Sequence, residues 1–269
     1  MSCKIEMWVG HSRFFCKEII NSLTMGRKNK QNKDTSVKVP QRDKLKDSLF
    51  IYERDDLTEK QQKFIELLMD KETKIIFVNG PAGTSKTFLS VYCGLHLLNA
   101  KKVSDIVYIR TIVESASKGL GSLPGELDEK FGPFMMPLID KLNEMLPKAD
   151  VQALLKEERV QAVPINYLRG ASFNARFLLA DEAQNFTFQE LTTLITRYGK
   201  FSKMVICGDT RQSDIGDRSG FGAFYDIFDT EDSKENGIHT FEFDKSDIVR
   251  SELLQFIVEK IENGRPAAK

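Results

Sequence analysis

The sequence has little of what would mark a membrane-embedded, metal-binding or disulfide-held protein. Its 269 residues include four cysteines, three histidines and one tryptophan. Cys3, Cys16, Cys93 and Cys207 are widely spaced, with no CxxC pair and no paired histidines. That argues against a zinc ribbon, a thioredoxin-like redox site and a disulfide scaffold. Cys93 and Cys207 fall inside apolar runs and read as small core side chains. No apolar run reaches the ~18–20 residues that span a bilayer. The run from Phe14 to Leu23 is interrupted by Lys17 and Glu18, so it does not read as a secretory leader. The expectation is a cytoplasmic protein of a reducing compartment with no membrane partner. A dominant charge is also missing: 39 Lys+Arg balance 39 Asp+Glu. The whole molecule therefore has no field to draw in a polyanion, and any nucleic-acid contact must come from a local patch. Arg27 to Asp47 is such a patch, with eight basic residues against three acidic ones, a net +5.

What is present is an ordinary globular composition, 41% hydrophobic and 29% charged. Residues 1–47 read as a peripheral, basic segment. The stretch from Met25 to Pro40 has too few large apolar residues to offset its ordering entropy. Met25 is an alternative start. From residue 48 to 263 short apolar runs alternate with helical periods, leaving 264–269 as a tail. Strands are expected at Lys74–Asn79, Ile106–Arg110, Val163–Leu168, Phe177–Asp181, Met204–Gly208 and His239–Phe243. Helices are expected at Thr58–Asp70, Lys86–Asn99, Glu126–Leu146, Val151–Glu157, Thr187–Tyr198, Phe221–Phe228 and Val249–Glu262. The runs Ile75–Val78, Phe177–Ala180 and Met204–Cys207 are continuously apolar. That suits strands covered on both faces, as in a parallel sheet between helix layers. The fold class is α/β in three layers.

The strongest local signal is Gly80-Pro81-Ala82-Gly83-Thr84-Ser85-Lys86-Thr87, between an apolar strand and an apolar helix. Backbone N–H groups of such a loop wrap a phosphate, and the helix N-terminus adds partial positive charge. Lys86 would reach the β- and γ-phosphates of ATP and Thr87 would ligate Mg²⁺. Ser85 stands where the consensus has glycine, so a left-handed backbone there would store roughly 1–3 kcal/mol of strain. A plain Gly/Pro turn before a helix is the other reading.

A hydrolase built on that loop also needs a metal-orienting acid and a group that positions water. The run Phe177–Ala180 ends at Asp181-Glu182-Ala183-Gln184-Asn185, at the carboxyl edge where open α/β sheets bind ligands. Asp181 fits the Mg²⁺ contact, and Glu182 fits the general base. The pattern recurs after Cys207 as Gly208-Asp209-Thr210-Arg211-Gln212, making Gln212 a candidate γ-phosphate sensor. Upstream, Thr58 reads as an N-cap, and Gln61 either pairs with adenine or is an exposed helix-start glutamine. Arg250, between the last strand and a helix, either meets the γ-phosphate bidentately or forms a surface ion pair.

Together these blocks resemble the PhoH family of P-loop ATPases, relatives of the first motor domain of superfamily I helicases. The resemblance runs from Leu57 to Ile261 and also rests on Tyr108–Arg110, Leu120–Gly125, Glu129-Lys130, Tyr167–Gly170, Leu194–Arg197 and Ile248–Ser251. Ser85 and Thr111, where the family usually has proline, are departures. The resemblance implies a RecA-like ATPase core, a ring-like oligomer, and action on RNA or single-stranded nucleic acid. It carries backbone contacts over to Arg110, Thr111 and Ser115.

No second motor domain is legible, so either the protein only binds and hydrolyses ATP or a neighbouring subunit completes each site, and the second is the expectation. A homo-oligomer follows, favoured as a hexamer, with Arg197 or Arg250 as the finger supplied in trans. The segment Gly119–Leu146 is expected to break into turns at its glycines and prolines before a helix at Leu138–Leu146. It reads either as a packing insertion or as a subunit-facing element. The alternatives to a nucleic-acid motor are an ATP-dependent oligomeric switch and a small-molecule kinase. Asp181, Glu182 and Gln212 argue against the kinase.

Overall fold

The apolar runs pair into one six-stranded sheet, all parallel, in a computed structural model that describes residues 45, 47–111, 127–168, 172–248, 256, 257 and 260. In chain order the elements are α1 (Glu59–Met69), β1 (Ile75–Asn79), α2 (Lys86–Asn99), β2 (Asp105–Arg110), α3 (Leu127–Met145), α4 (Lys148–Lys156) and β3 (Val160–Pro164). They continue as β4 (Arg176–Ala180), α5 (Phe188–Ile195), β5 (Lys203–Gly208), α6 (Phe221–Phe228), α7 (Glu231–Glu235) and β6 (Ile238–Glu242). The strand order is β3-β2-β4-β5-β1-β6.

Continuous apolar character in the inner strands has a direct cause. Successive side chains point to opposite faces, and both faces are covered. Ile76, Val78, Phe177, Leu179 and Val205 enter one core cluster, beneath α1 to α4. Ile75, Phe77, Leu178, Ala180 and Ile206 enter the other, beneath α5 and α6. Cys93 and Cys207 are buried in the core and form no disulfide. The expected three-layer α/β fold is present.

Because every strand runs the same way, all carboxyl ends lie along one edge. β4, β5 and β1 are neighbours, so the loops after Ala180, Gly208 and Asn79 sit side by side despite their separation in sequence. Capping boxes fix two flanking helices. Thr58 caps α1 with Gln61 answering, and Thr187 caps α5 with Glu190 answering.

Several sequence boundaries move. The third strand is Val160–Pro164 and not Val163–Leu168; a 3₁₀ turn follows at Ile165–Tyr167. Its middle residues are only half-buried, so apolar weight misplaces it, and Pro164 has no N–H to extend the ladder. The helix expected at Thr187–Tyr198 is shorter, with Thr187 as its cap. α3 runs unbroken through Gly132, Pro133 and Pro137, where turns were expected. Its buried stripe of Leu138, Leu142 and Met145 holds the helix against the core despite the missing N–H groups. α7 was not anticipated. The basic patch before Asp47 lies outside the described residues apart from Leu45, and so do Gly119–Gly125, Ser115, Arg250 and most of Val249–Glu262. No helix among the described residues is long and apolar enough to cross a membrane.

Candidate functional site

The loop from Gly80 to Ser85 connects β1 to α2 and is packed tightly from below. A Cβ on Gly80 would lie 2.7 Å from the Cβ of Phe243 and 2.9 Å from its carbonyl oxygen, so only glycine fits there. The Thr84 hydroxyl donates to the Pro81 carbonyl at 3.0 Å, bracing the turn. Ser85 has φ 65° and ψ 19°, the left-handed region, and its side chain caps no backbone group. It therefore carries strain that glycine would not. Ser85→Gly is expected to raise Tm by ~2–4 °C, the equivalent of about 1 kcal/mol, in a thermal melt. A lower Tm would mean that the serine contributes more there than its backbone strain costs.

The Lys86 ammonium curls back over the loop, donating to the Gly80 carbonyl at 2.5 Å and to the Pro81 carbonyl at 2.9 Å. Burial pulls its pKa below the ordinary lysine value, opposed by the charges of Asp209, Asp181 and Glu182. A half-buried cation resting on two neutral carbonyls has an incomplete environment. A polyphosphate supplies the counter-charge it lacks.

Across the cleft, Asp181 leaves β4 with its backbone N–H still bonded to Ile109 at 2.9 Å. Its two carboxylate oxygens take one donor each. The Thr87 hydroxyl reaches Oδ1 at 2.8 Å, and the Tyr108 hydroxyl reaches Oδ2 at 2.6 Å. Burial, then the nearby Asp181 charge, push the Tyr108 pKa far up, so the phenol stays protonated and keeps donating. Asp181 is thereby held against the first turn of α2.

Glu182 is the second left-handed residue on the cleft, with φ 55° and ψ 40°. One carboxylate oxygen accepts from Gln184 Nε2 at 2.6 Å, and Gln184 Oε1 accepts the Asp209 N–H at 3.0 Å. Asn185 and Asp214 bond reciprocally at 2.7 and 2.8 Å, and the Ser213 hydroxyl donates to the Gln184 carbonyl. The loops after β4 and β5 are thus zipped together. Gln212 lines the same cleft, its N–H bonded to the Asp209 carbonyl. Asp209 Oδ2 is buried and accepts no hydrogen bond from the described residues.

Of the residues singled out from sequence, the structure brings Ala82, Gly83, Ser85, Lys86, Thr87, Asp181, Glu182 and Gln212 around one cleft of about 480 Å³. Gly80 and Pro81 line the adjoining pocket of about 310 Å³ on the β6 side. Gln61 is buried, not exposed, and is not on the cleft wall. Its Oε1 accepts the Thr58 N–H at 3.1 Å, while its buried Nε2 finds no partner among the described residues. Arg197 is half-buried just past α5, its Nε likewise without a described partner, and it does not line the cleft. Arg110 and Thr111 lie at the carboxyl end of β2, where Arg110 pairs in register with Pro164.

Three residues were missed as site residues. Tyr108 and Gln184 sit inside blocks already read as significant, but their roles follow from contacts across strands. Arg54 is contributed from before α1, and no motif marked it.

A Thr hydroxyl and an Asp carboxylate, hydrogen-bonded to each other, are a donor set that Mg²⁺ accepts when phosphate oxygens and water complete its shell. Among the described residues no cluster of three or more His, Cys, Asp or Glu forms a metal cage. The residues present therefore suit a metal that arrives with its nucleotide, not one held by protein alone.

Comparison with known proteins points to one family. A family model described as PhoH-like protein matches residues 55–262. A PhoH-like protein of Mycobacterium tuberculosis is 37% identical over 201 residues, covering 74% of this chain and 55% of the relative. A PhoH-like protein of Bacillus subtilis is 36% identical over 191 residues, covering 70% and 58%. Protein PhoH of Escherichia coli is 32% identical over 201 residues, covering 73% and 55%. The chain spans little more than half the length of these relatives.

Proposed function

This chain belongs to the PhoH family, and on that premise we propose that it binds ATP with Mg²⁺, hydrolyses it, and acts on RNA or single-stranded nucleic acid as a homo-oligomer. The observation that carries the reading is Asp181, gripped by the Thr87 hydroxyl at 2.8 Å and the Tyr108 hydroxyl at 2.6 Å beside the Lys86 ammonium. Thr87 and Asp181 would hold the metal, which supplies charge neutralisation for the phosphates. Lys86 and the loop N–H groups of Gly80 to Thr87 bind the triphosphate. Glu182 takes the proton of the attacking water, its orientation fixed through Gln184. Gln212 reads the γ-phosphate and passes its state to the loop after β5. Gln61, through an Nε2 that has no partner among the described residues, is assigned to the nucleotide as well. Arg197 or Arg250 enters the site of a neighbouring subunit, in a ring favoured as a hexamer.

Nucleic acid would cross the carboxyl edge at Arg110 and Thr111, with Ser115 and the basic stretch before Asp47 adding contacts, those to phosphate weakening in salt. The exact balance of charge, 39 basic against 39 acidic residues, favours a second reading in which ATP drives an oligomeric switch with no nucleic-acid substrate. Phosphate release by the wild type, with and without single-stranded RNA, separates the two. Stimulation at low salt that fades at high salt is the expected result; indifference to RNA would replace the motor with the switch.

A further inference from the structure

Lys86, Asp181, Glu182 and Gln212 line the cleft, and so does Arg54, whose guanidinium lies over Phe88 in the first turn of α2. A triphosphate with its γ end among the acids must leave past Thr87, so the next residue, Phe88, lies where its nucleoside emerges. Phe88 does not present its ring to solvent: it is buried, and the Arg54 guanidinium lies over it, 4.7 Å from the ring centre. The guanidinium is held by a second set of bonds. Its Nε and Nη2 donate to the two carboxylate oxygens of Asp56 at 2.7 and 2.9 Å.

This arrangement is built, not incidental. Residues 47–57 form an extended strap tied to the helix layer at several points. Leu49 and Asn99 exchange hydrogen bonds at 2.9 and 3.2 Å, and the Tyr52 N–H reaches the Met145 carbonyl at 2.8 Å. The Tyr92 hydroxyl donates to Glu53 at 3.0 Å. The strap delivers Arg54 to the cleft with one flat face on Phe88 and its fork closed by a carboxylate. Its charge is already balanced, which makes it a poor phosphate clamp. The side chain as a whole is about a third exposed, its second flat face is not the one on Phe88, and planar guanidinium faces stack on aromatic rings.

We propose that Phe88 and Arg54 form a nucleobase platform, on which the base of a nucleoside triphosphate stacks against the second face of the guanidinium. The inference rests on the reading of the cleft as an ATP site, and it places the base beside the strap. It predicts that affinity has a base-dependent part separable from the phosphate part.

The test compares Mg²⁺-loaded ATPγS with Mg²⁺-loaded inorganic tripolyphosphate by calorimetry, on the full chain and on Arg54→Ala and Arg54→Lys. Loss of one base-stacking contact corresponds to roughly 5- to 150-fold weaker binding. The expected result is a loss in that range for ATPγS in both variants, with tripolyphosphate binding within about 3-fold of wild type. Retained tripolyphosphate binding also shows that each variant is folded. Equal loss for both ligands, or rescue by Arg54→Lys, would make Arg54 a phosphate cation and overturn the platform. Unchanged ATPγS affinity in Arg54→Ala would overturn it as well. A wild type that binds tripolyphosphate as tightly as ATPγS removes the platform while leaving the phosphate cradle standing. A wild type that binds neither ligand removes the ATP reading itself.

Discussion

Glu182→Gln is expected to lower phosphate release by about 10²–10⁴-fold while ATP stays bound, the range that general-base catalysis contributes. The substitution keeps the shape of the side chain. Its amide oxygen still accepts from Gln184 Nε2, which approaches Glu182 at 2.6 Å, and Gln184 remains anchored on the Asp209 N–H at 3.0 Å. The left-handed backbone at residue 182, φ 55°, burdens both side chains alike. What disappears is the basicity of the oxygen facing the cleft. Single-turnover phosphate release with a parallel nucleotide-binding titration reads the effect. A variant within about 10-fold of wild type would remove Glu182 from the chemistry and leave the water to another group.

Lys86→Ala is expected to weaken ATP by about 2–4 kcal/mol, roughly 30- to 1000-fold, the worth of one or two charge-assisted hydrogen bonds. The fold should survive the change, because in the nucleotide-free protein the ammonium only rests on the Gly80 and Pro81 carbonyls. Burial lowers its pKa in the folded state. A lysine with a depressed folded pKa destabilises fully below that pKa and less as pH rises through it. Removing it should therefore leave Tm at pH 7 equal to or above wild type, with the difference shrinking in alkali. Loss of binding together with a collapsed melt would instead assign Lys86 a structural role.

The inner strands were legible because their burial on both faces leaves a continuous apolar run ending abruptly in a functional residue. Ile75–Val78 gives way to the Gly80 loop, and Phe177–Ala180 to Asp181. The edge strand β3 was misplaced because an edge needs less apolar cover. α3 was read as broken because its prolines are locally unfavourable, whereas its packed stripe is a tertiary gain that sequence does not display. Gln61 was recognised as helix-opening, yet its environment was not, since one amide satisfies a cap or meets a ligand with the same letters. Tyr108 shows the limit clearly. A tyrosine in an apolar strand reads as core, and only the pairing of β2 with β4 carries its hydroxyl to Asp181.

By itself, the order of residues determined which segments would be the inner strands, that a glycine loop opens a helix, and that acids end the neighbouring runs. These are local matters of periodicity, backbone freedom and charge. The strand order, β4 and β5 beside β1, belongs to the tertiary structure alone, as does the strap that lays Arg54 over Phe88. Parallel strands pair through backbone hydrogen bonds that are the same for every residue type but proline. Which strands become neighbours is therefore settled by how the helices cover both faces at once, and that choice sets Thr87 against Asp181 across 94 residues of chain.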